Sequence, residues 1–231
     1  MRIRLLVVLP CLVMLSAQSQ KTFSTASLQL TFPQGEYRST SSEAGIGVRW
    51  NVMHKFSDNS PLSIGGEIGY LVISSTSRYF DLYYQGFFDR YKVAASSNVV
   101  TLAFKARADL TQPEQKTIVF VDATIGTNLF FSSVDITAES SFGGSQNAGG
   151  NSSKGYWAFL FGPGAGVEIP LGKSREVNLV LKTSFLFGTT SKYLTDPYID
   201  NGGDVYFLQR ESRTDLIVAE AGVRFNIGRR R

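Results

Sequence analysis

Several features are scarce in this chain, and each scarcity argues against a class of protein. The only cysteine among the 231 residues is Cys11, so neither a disulfide framework nor thiol chemistry is expected in the folded part. The only histidine is His54, at a predicted strand end and without paired Asp/His or His/Ser spacing, which argues against a hydrolytic triad. No apolar run reaches the roughly 20 residues that a transmembrane helix needs. The net charge of +4 is too small to indicate nucleic-acid binding.

The N-terminal segment has the features of a secretory signal. Arg2 and Arg4 precede an apolar run from Leu5 to Leu15, and small residues follow that run. Cleavage after Ala17 and cleavage after Ser19 fit about equally well. We therefore expect residues 1–19 to be removed on export and residues 20–231 to form one domain.

Beyond the signal, the dominant pattern is alternation of apolar and polar residues, which indicates β-strands, and no helical period is found. In the segment TDLIVAEAGVRFNI, for example, Phe225 lies on an apolar face while Glu220 and Arg224 lie on the opposite one. Eight segments alternate in this way: Thr25–Phe32, Gly45–Phe56, Leu62–Ile73, Val99–Leu110, Thr117–Phe131, Tyr156–Leu171, Val177–Gly188 and Thr214–Ile227. Pro163 lacks an N–H group and predicts a local irregularity in the sixth segment.

The connections alternate between short and long. Three short ones are rich in turn formers and charge: Ser57–Pro61, Thr111–Gln115 and Gly172–Glu176. Four are longer: Pro33–Glu43, Ser74–Asn98, Val134–Lys154 and Thr189–Arg213. Within the third long connection, Phe142–Ser153 is expected to be a flexible tip. Short turns at one end and long loops at the other are typical of outer-membrane barrels, and an even strand number places both termini on the periplasmic side.

The polarity of the two faces separates a membrane barrel from a soluble, lipocalin-like binding barrel, which would carry its apolar residues inside. The apolar face is dense in Phe, Leu, Ile and Val over spans long enough to cross a bilayer. The other face is rich in small residues and is expected to line a narrow lumen. Aromatic residues near strand ends are expected to form an interfacial girdle: Phe32, Phe56, Tyr70, Tyr156, Trp157 and Phe225. We therefore predict an all-β, eight-stranded antiparallel up-and-down transmembrane barrel.

This strand pattern, the loop asymmetry and terminal strands such as EAGVRFNI resemble the small eight-stranded outer-membrane barrels of the OmpA/OmpX type. The resemblance is greatest to the compact barrels that are common in Bacteroidetes, and it covers residues 23–228. It implies a membrane anchor, adhesin, small channel or assembly factor, inserted by the barrel-assembly machinery.

Charged residues recur on the predicted inner face. Because the interior of an eight-stranded barrel is just wide enough for side chains, and an unpaired buried ion is costly, we hypothesise a salt-bridge network that plugs the lumen. Its proposed members are Arg49, Glu67, Lys105, Arg107, Asp122, Glu168, Lys182, Glu220 and Arg224. The alternative is that these groups only keep the lumen polar and wet.

The connection RYFDLYYQGFFDRYK, between Arg78 and Lys92, carries an unusual number of aromatic residues. They are Tyr79, Phe80, Tyr83, Tyr84, Phe87, Phe88 and Tyr91. Such a cluster could contact an extracellular protein, a glycan or the outer leaflet. The favoured interpretation is simpler: the segment extends a hairpin above the membrane and packs on itself over the barrel mouth.

Taken together, the sequence predicts a monomeric, non-enzymatic integral outer-membrane barrel with a structural or surface-interaction role. Outer-membrane lipid is an expected partner, extracellular protein or glycan is a candidate partner for the loops, and no nucleic-acid partner is expected. We expect no cofactor and no catalytic or metal site, because His54 is isolated and Asp196, Asp200 and Asp204 are best explained as a solvated acidic loop. The alternatives are a narrow channel for small solutes, a lipid A-modifying enzyme and a soluble binding barrel.

Overall fold

The strands of the chain were located in a computed structural model. It describes residues 22–40, 44–57, 60–84, 87–111, 117–140, 144–152, 155–172, 177–200 and 204–227. The predicted signal lies outside these residues and remains a prediction. No helix in these ranges is long and apolar enough to cross a membrane.

Eleven strands and one short helix make up the described chain. In chain order they are β1 (Thr22–Pro33), α1 (Gly35–Thr40), β2 (Gly45–Lys55), β3 (Leu62–Tyr84), β4 (Phe87–Asp109), β5 (Ile118–Ser140), β6 (Gly144–Ser152), β7 (Tyr156–Pro170), β8 (Val177–Gly188), β9 (Thr190–Ile199), β10 (Val205–Arg213) and β11 (Leu216–Ile227).

Eight of these strands form a closed ring in the order β1, β2, β3, β4, β5, β7, β8 and β11, and every neighbouring pair is antiparallel. The first and last strands close the ring, with pairs running from Thr22 and Ile227 to Pro33 and Leu216. Closure satisfies the backbone groups that an open sheet would leave at its edges. The predicted eight-stranded antiparallel barrel is confirmed.

The outer surface of the ring is apolar. On β4, Phe104 is 76% exposed while its neighbour Lys105 points inward and is buried. Other large apolar side chains exposed on the outside include Leu28, Ile46, Val48, Trp50, Ile64, Ile68, Leu102, Ile125, Phe159, Phe161 and Leu181. From Leu110 to Val100, a tilted strand rises about 25 Å, which is the height of the apolar band of outer-membrane barrels. This polarity is the reverse of that of a soluble binding barrel.

The long connections contain more regular structure than predicted. β3 and β4 stay paired as far as Tyr84 and Phe87, well beyond the predicted strand ends at Ile73 and Val99. β5 likewise continues to Ser140 and carries β6 along its upper part, so the flexible tip predicted at 142–153 is wrong for the nine residues of β6. In the extensions of β3, β4 and β5, Ser, Thr and charged residues interrupt the apolar positions, so no long apolar face marks them as strands, although they continue the register of strands already paired.

Two further elements lie at the same end of the ring as the extensions. β9 and β10 form a separate two-stranded sheet within the last long connection. α1 begins at Gly35, whose backbone has a left-handed conformation (φ 55°) that glycine adopts without strain. The expectation of no helix is therefore wrong at α1, because six residues are too few to show a helical period.

Pro163 interrupts one ladder without changing its register. On β7, Phe161 pairs with Phe187 of β8 and the next recorded pair is Gly164 with Ser184, which keeps the same alignment. On the other side, Pro163 pairs in register with Ala123 of β5. The predicted irregularity is thus confined to the contact with β8, where a proline has no N–H to donate.

Two glycines of the barrel wall make a testable contrast. A Cβ at Gly126 of β5 would lie 2.2 Å from the Leu102 carbonyl oxygen, whereas a Cβ at Gly66 of β3 would meet no atom closer than 3.9 Å. We expect Gly126→Ala to destabilise the barrel by about 1–3 kcal/mol through overpacking, and Gly66→Ala to be neutral or slightly stabilising. Urea unfolding of both variants in lipid vesicles measures the difference. Equal stabilities would show that strand spacing does not require glycine at 126.

Candidate functional site: the closed barrel interior

The inward side chains near one end of the ring are charged. All nine residues proposed from the sequence point inward and are buried. β2, β3, β4, β5, β7, β8 and β11 all contribute, with Arg49, Glu67, Lys105, Arg107, Asp122, Glu168, Lys182, Glu220 and Arg224. Some of these positions are far apart in the chain, yet their ion pairs join them into two groups.

The first group is a chain of six residues in which positive and negative charges alternate. In order of contact they are Lys105, Glu67, Arg49, Glu220, Lys182 and Asp122. Arg49 Nη1 lies 3.0 Å from Glu67 Oε1 and 3.3 Å from Glu220 Oε1. Lys182 Nζ lies 2.7 Å from Asp122 Oδ2 and 3.5 Å from Glu220 Oε1. This six-membered chain has three cations and three anions and is neutral as a unit.

The second group lies nearer the chain termini and has five members. Glu168, which is 0% exposed, accepts hydrogen bonds from the guanidinium groups of both Arg107 and Arg224. Arg107 Nη2 also lies 2.7 Å from Asp109 Oδ1, and Asp109 Oδ2 lies 2.7 Å from Lys55 Nζ. Alternation placed Lys55 and Asp109 on the polar faces of their strands, but the proposed set omitted them. The alternation pattern alone would therefore have been sufficient to add both residues to the predicted ion-pair network.

Two inward aromatic rings stack on the two arginines of the five-membered chain. The Cζ of Arg224 lies 3.6 Å from the ring centroid of Phe23, and the Cζ of Arg107 lies 3.8 Å from that of Phe120. Both rings are buried. Stacking of a guanidinium on an aromatic face stabilises the cation where water is scarce. Neither ring was predicted to face inward, since Phe23 precedes the predicted first strand and Phe120 is next to the outward-facing Val121.

Little space remains between the two ion-pair chains. A cavity of about 30 Å³ is lined by charged groups of both, among them Lys105, Arg107, Asp122 and Lys182. A volume of this size accommodates one or two water molecules. The space between these charged groups is therefore small, as expected inside a ring of eight strands.

The opposite end of the interior is apolar, a feature that was not predicted from the sequence. The buried cluster there consists of Tyr37, Leu71, Ile73, Val99, Phe130, Ala158, Leu160, Leu186, Tyr193, Leu216 and Val218. Tyr156 packs against it, so the interfacial position predicted for Tyr156 is wrong. The members from the barrel strands were not predicted because several of them lie in continuous apolar stretches such as YLVI at 70–73, where a period of two does not show which side faces inward.

Two tyrosines outside the ring cover this apolar cluster. Tyr37 comes from α1 and Tyr193 from β9, and their ring centroids are 5.1 Å apart in an edge-to-face arrangement. Tyr193 also packs 5.6 Å from Phe130, and its hydroxyl lies 2.8 Å from Ser212 Oγ. Burial, with a smaller contribution from Tyr193, raises the pKa of the Tyr37 phenol far above its ordinary value.

Hydrogen bonds attach the covering elements to the rim. Gln34 N, just before α1, donates to the Asp215 carbonyl at 2.9 Å, and Arg213 N donates to Glu36 Oε2 at 3.2 Å. Ser97 Oγ donates to the Leu194 carbonyl of β9 at 2.8 Å. The first and last long connections are therefore joined to each other and to the barrel wall at this end of the ring.

The aromatic connection between Arg78 and Lys92 forms the upper part of the β3–β4 hairpin. Tyr79 is exposed, while Phe80 and Tyr91 are half-buried and pair directly across the two strands. The side chains of Tyr83, Tyr84, Phe87 and Phe88 lie outside the described part. Within the described residues it is Tyr37 and Tyr193, rather than this hairpin, that cover the apolar cluster.

The single histidine has an ordinary structural environment. His54 lies near the end of β2, and its Nδ1 is 3.0 Å from Thr22 Oγ1 across the β1–β2 pair. Among the described residues, no group of three or more His, Cys, Asp or Glu side chains could hold a metal ion.

Comparison with known proteins gives structural likeness only. No family model and no curated protein matches the chain. Among solved structures, a major outer membrane protein from Thermus thermophilus matches at 11% identity and a TM-score of 0.47, over 88% of this chain and 98% of that one. Neisserial surface protein A matches at 10% identity and a TM-score of 0.39, over 89% and 96%. Ail of Yersinia pestis matches at 12% and 0.37, over 90% and 99%. At these values no function is carried over to this chain.

Glu168 is the most informative position for testing the ion-pair chains. Replacing it with Gln removes the one carboxylate that both Arg107 and Arg224 contact, and leaves buried guanidinium charge uncompensated. We expect Glu168→Gln to lower the free energy of unfolding by about 3–5 kcal/mol. Urea titration in detergent or vesicles measures it.

Glu211→Gln is the matched control, because Glu211 is exposed and its Lys192 partner is 3.9 Å away. We expect little change there, as for most surface ion pairs. A Glu168 variant as stable as the Glu211 variant would mean that the five-membered chain contributes nothing to stability.

Proposed function

We propose that this chain is an integral outer-membrane β-barrel that is closed to ions and serves a structural or surface-interaction role. The observation that carries the proposal is the combination of an apolar outer band with an interior that holds buried ion pairs at one end and a buried, mainly apolar cluster at the other. We further propose that the short turns and both termini face the periplasm, and that the long extensions face outward.

The outer surface supports a bilayer location. Side chains such as Phe104, Ile125 and Phe159 are more than 60% exposed on the outside of the ring. Contiguous apolar surface on this scale is unfavourable in water and favourable in hydrocarbon. Because the ring is closed, the exposed residues form a belt around the whole circumference, as a lipid-exposed barrel requires.

The contents of the interior favour a closed barrel rather than a channel. An ion crossing the lumen must displace both the ion-paired layer and the buried cluster beneath Tyr37 and Tyr193. Breaking buried pairs costs several kcal/mol each, and the apolar cluster has no groups to replace a hydration shell. A narrow solute channel is therefore the weaker alternative.

The charged groups favour a non-enzymatic role. Glu67, Glu168 and Glu220 accept contacts from cations and lie beneath the apolar cluster, where a substrate would not reach them. A lipid-modifying enzyme needs a nucleophile and a base at the membrane rim, whereas His54 lies at the opposite end of the ring from α1 and β9.

Single-channel recording of the full-length, refolded protein tests closure. We expect no steady conductance in the wild type, and none in a variant that loses only the cover through Tyr37→Ala and Tyr193→Ala, because the ion-paired layer remains below it. A large, steady conductance of the wild type would overturn the closed-barrel proposal and favour the channel.

Charge substitution on the outer surface tests the membrane location. Phe104→Arg places a cation in the middle of the apolar belt of β4, and should cost about 2–4 kcal/mol in a bilayer. Ala94→Arg is the matched control, because Ala94 belongs to the same strand and faces outward above the belt, in register with Asp135.

Unfolding titrations in vesicles and in water-soluble surfactant measure both variants. We expect the Phe104 variant to lose stability in vesicles and the Ala94 variant to keep it. If the two substitutions cost the same in a bilayer, the apolar belt is not the lipid contact.

A further inference from the structure

We propose that the outward face of the β3–β4–β5 extension binds the saccharide head groups of glycolipid in the outer leaflet. This inference rests on the proposed membrane location and adds the partner that the face contacts. It concerns the side of the extension that points away from the barrel axis, above the apolar belt.

The register of the three strands defines this face. After the irregularity between Val72 and Ser74, outward residues align in rows across β3, β4 and β5. From the belt upward, the rows are Ser75–Ser96–Ser133, Ser77–Ala94–Asp135 and Tyr79–Lys92–Thr137. We call these nine residues the outward polar face. Rows of large apolar residues thus give way, on the same strands, to small hydroxyl-bearing and charged ones.

A hydrogen-bonded cluster marks the change from apolar to polar rows. Tyr70 Oη donates to Asn98 Oδ1 at 2.9 Å, and Asn98 Nδ2 donates to Ser96 Oγ at 2.9 Å and to Ser133 Oγ at 3.3 Å. Tyr70 itself is exposed at the top of the belt, with its ring 6.5 Å from that of Phe131. A tyrosine with an apolar body and a bonded hydroxyl is typical of a membrane–water interface.

The opposite side of the same extension is already occupied. Val93, Ala95 and Ser97 face inward and are buried, and Ser97 bonds to β9. The outward polar face therefore lies directly above the lipid-facing surface, on the same strands. Whatever layer lies directly above the acyl chains in that leaflet must lie against it.

The height of the outward polar face limits which kind of lipid head-group layer could contact all of it. Tyr79 is nine residues above Tyr70 along β3, which at the usual rise and tilt corresponds to about 20–25 Å. The head-group region of an ordinary phospholipid bilayer adds only about 5–8 Å on each side of the hydrocarbon core. A leaflet must carry long saccharide head groups to contact the whole face.

The chemistry of the face suits a saccharide. Serine and threonine hydroxyls provide adaptable hydrogen bonding, and Tyr79 provides an exposed aromatic surface with Lys92 Nζ 5.7 Å from its ring centroid. Charges are balanced, since Arg90 pairs with Asp81 at 2.9 Å and Lys92 stands in a neighbouring row to Asp135. This balance favours hydroxyl-rich sugar over a layer of bare phosphate.

Native mass spectrometry of the full chain in detergent tests the proposal with two probes, a glycolipid that carries its core oligosaccharide and the same lipid A without it. We expect the wild type to bind the core-bearing glycolipid at least tenfold more tightly than lipid A. A Tyr79→Ala, Lys92→Ala variant should lose about five- to tenfold in affinity for the core-bearing lipid alone, as expected for removal of a central aromatic and its cation. Lipid A binding should not change.

Glu211→Ala is the control, because Glu211 is an exposed charged residue of β10 outside the face. It should leave both affinities unchanged. Equal affinity of the wild type for the two lipids, or equal loss for the Glu211 and Tyr79–Lys92 variants, overturns the saccharide proposal. Heat-modifiable migration and recovery in the outer-membrane fraction report separately on the membrane location, so failure of the proposed function is distinguishable from failure of this inference.

Discussion

The width of an eight-stranded ring constrains everything else in this protein. Such a ring leaves room inside for about one layer of side chains from each strand, so every inward group meets its counterparts from the other side. A charge placed there finds either an opposite charge or a large penalty. The two ion-pair chains follow from that geometry: Glu168 of β7 meets Arg107 of β4 and Arg224 of β11, although no two of these strands are neighbours. The same narrowness lets two tyrosines, Tyr37 and Tyr193, cover the other end.

Much of this architecture could be predicted from the sequence. Strict alternation in segments such as 99–110 fixes which side chains share a face, and the even number of segments with alternating connection lengths leads to an up-and-down ring. Because alternation also places charges at known distances from the short turns or the last strand's end, residues as distant as Arg49 and Glu220 could be assigned to neighbouring layers of the lumen from the sequence alone. The structure brings all nine assigned residues together in the lumen.

The apolar end of the interior and the strand extensions could not be predicted from the sequence, for two physical reasons. Inward apolar residues such as Leu71 and Val99 adjoin outward apolar residues, so sequence alone gives a continuous apolar stretch with no sidedness. The extensions of β3, β4 and β5 have the opposite problem, because Ser, Thr and charged residues interrupt their apolar positions and the sequence resembles a loop. They form strands because they continue the pairing register of the barrel strands below them. This is a tertiary effect that cannot be predicted from local composition.

The pairing of β1 with β11 also has a consequence for how the molecule assembles. Thr22 and Ile227 are partners at opposite ends of the described chain, and Arg49 reaches Glu220 across the same seam. Until the last twelve residues of the described chain arrive, the ring has two open edges and the six-membered chain lacks the carboxylate that joins Arg49 to Lys182. The contacts that stabilise the lumen are thus among the most distant in sequence, a topology associated with slow, cooperative folding. Truncated or stalled chains would carry unpaired buried charge together with exposed strand edges, which makes an intact C-terminal strand the condition for a complete barrel.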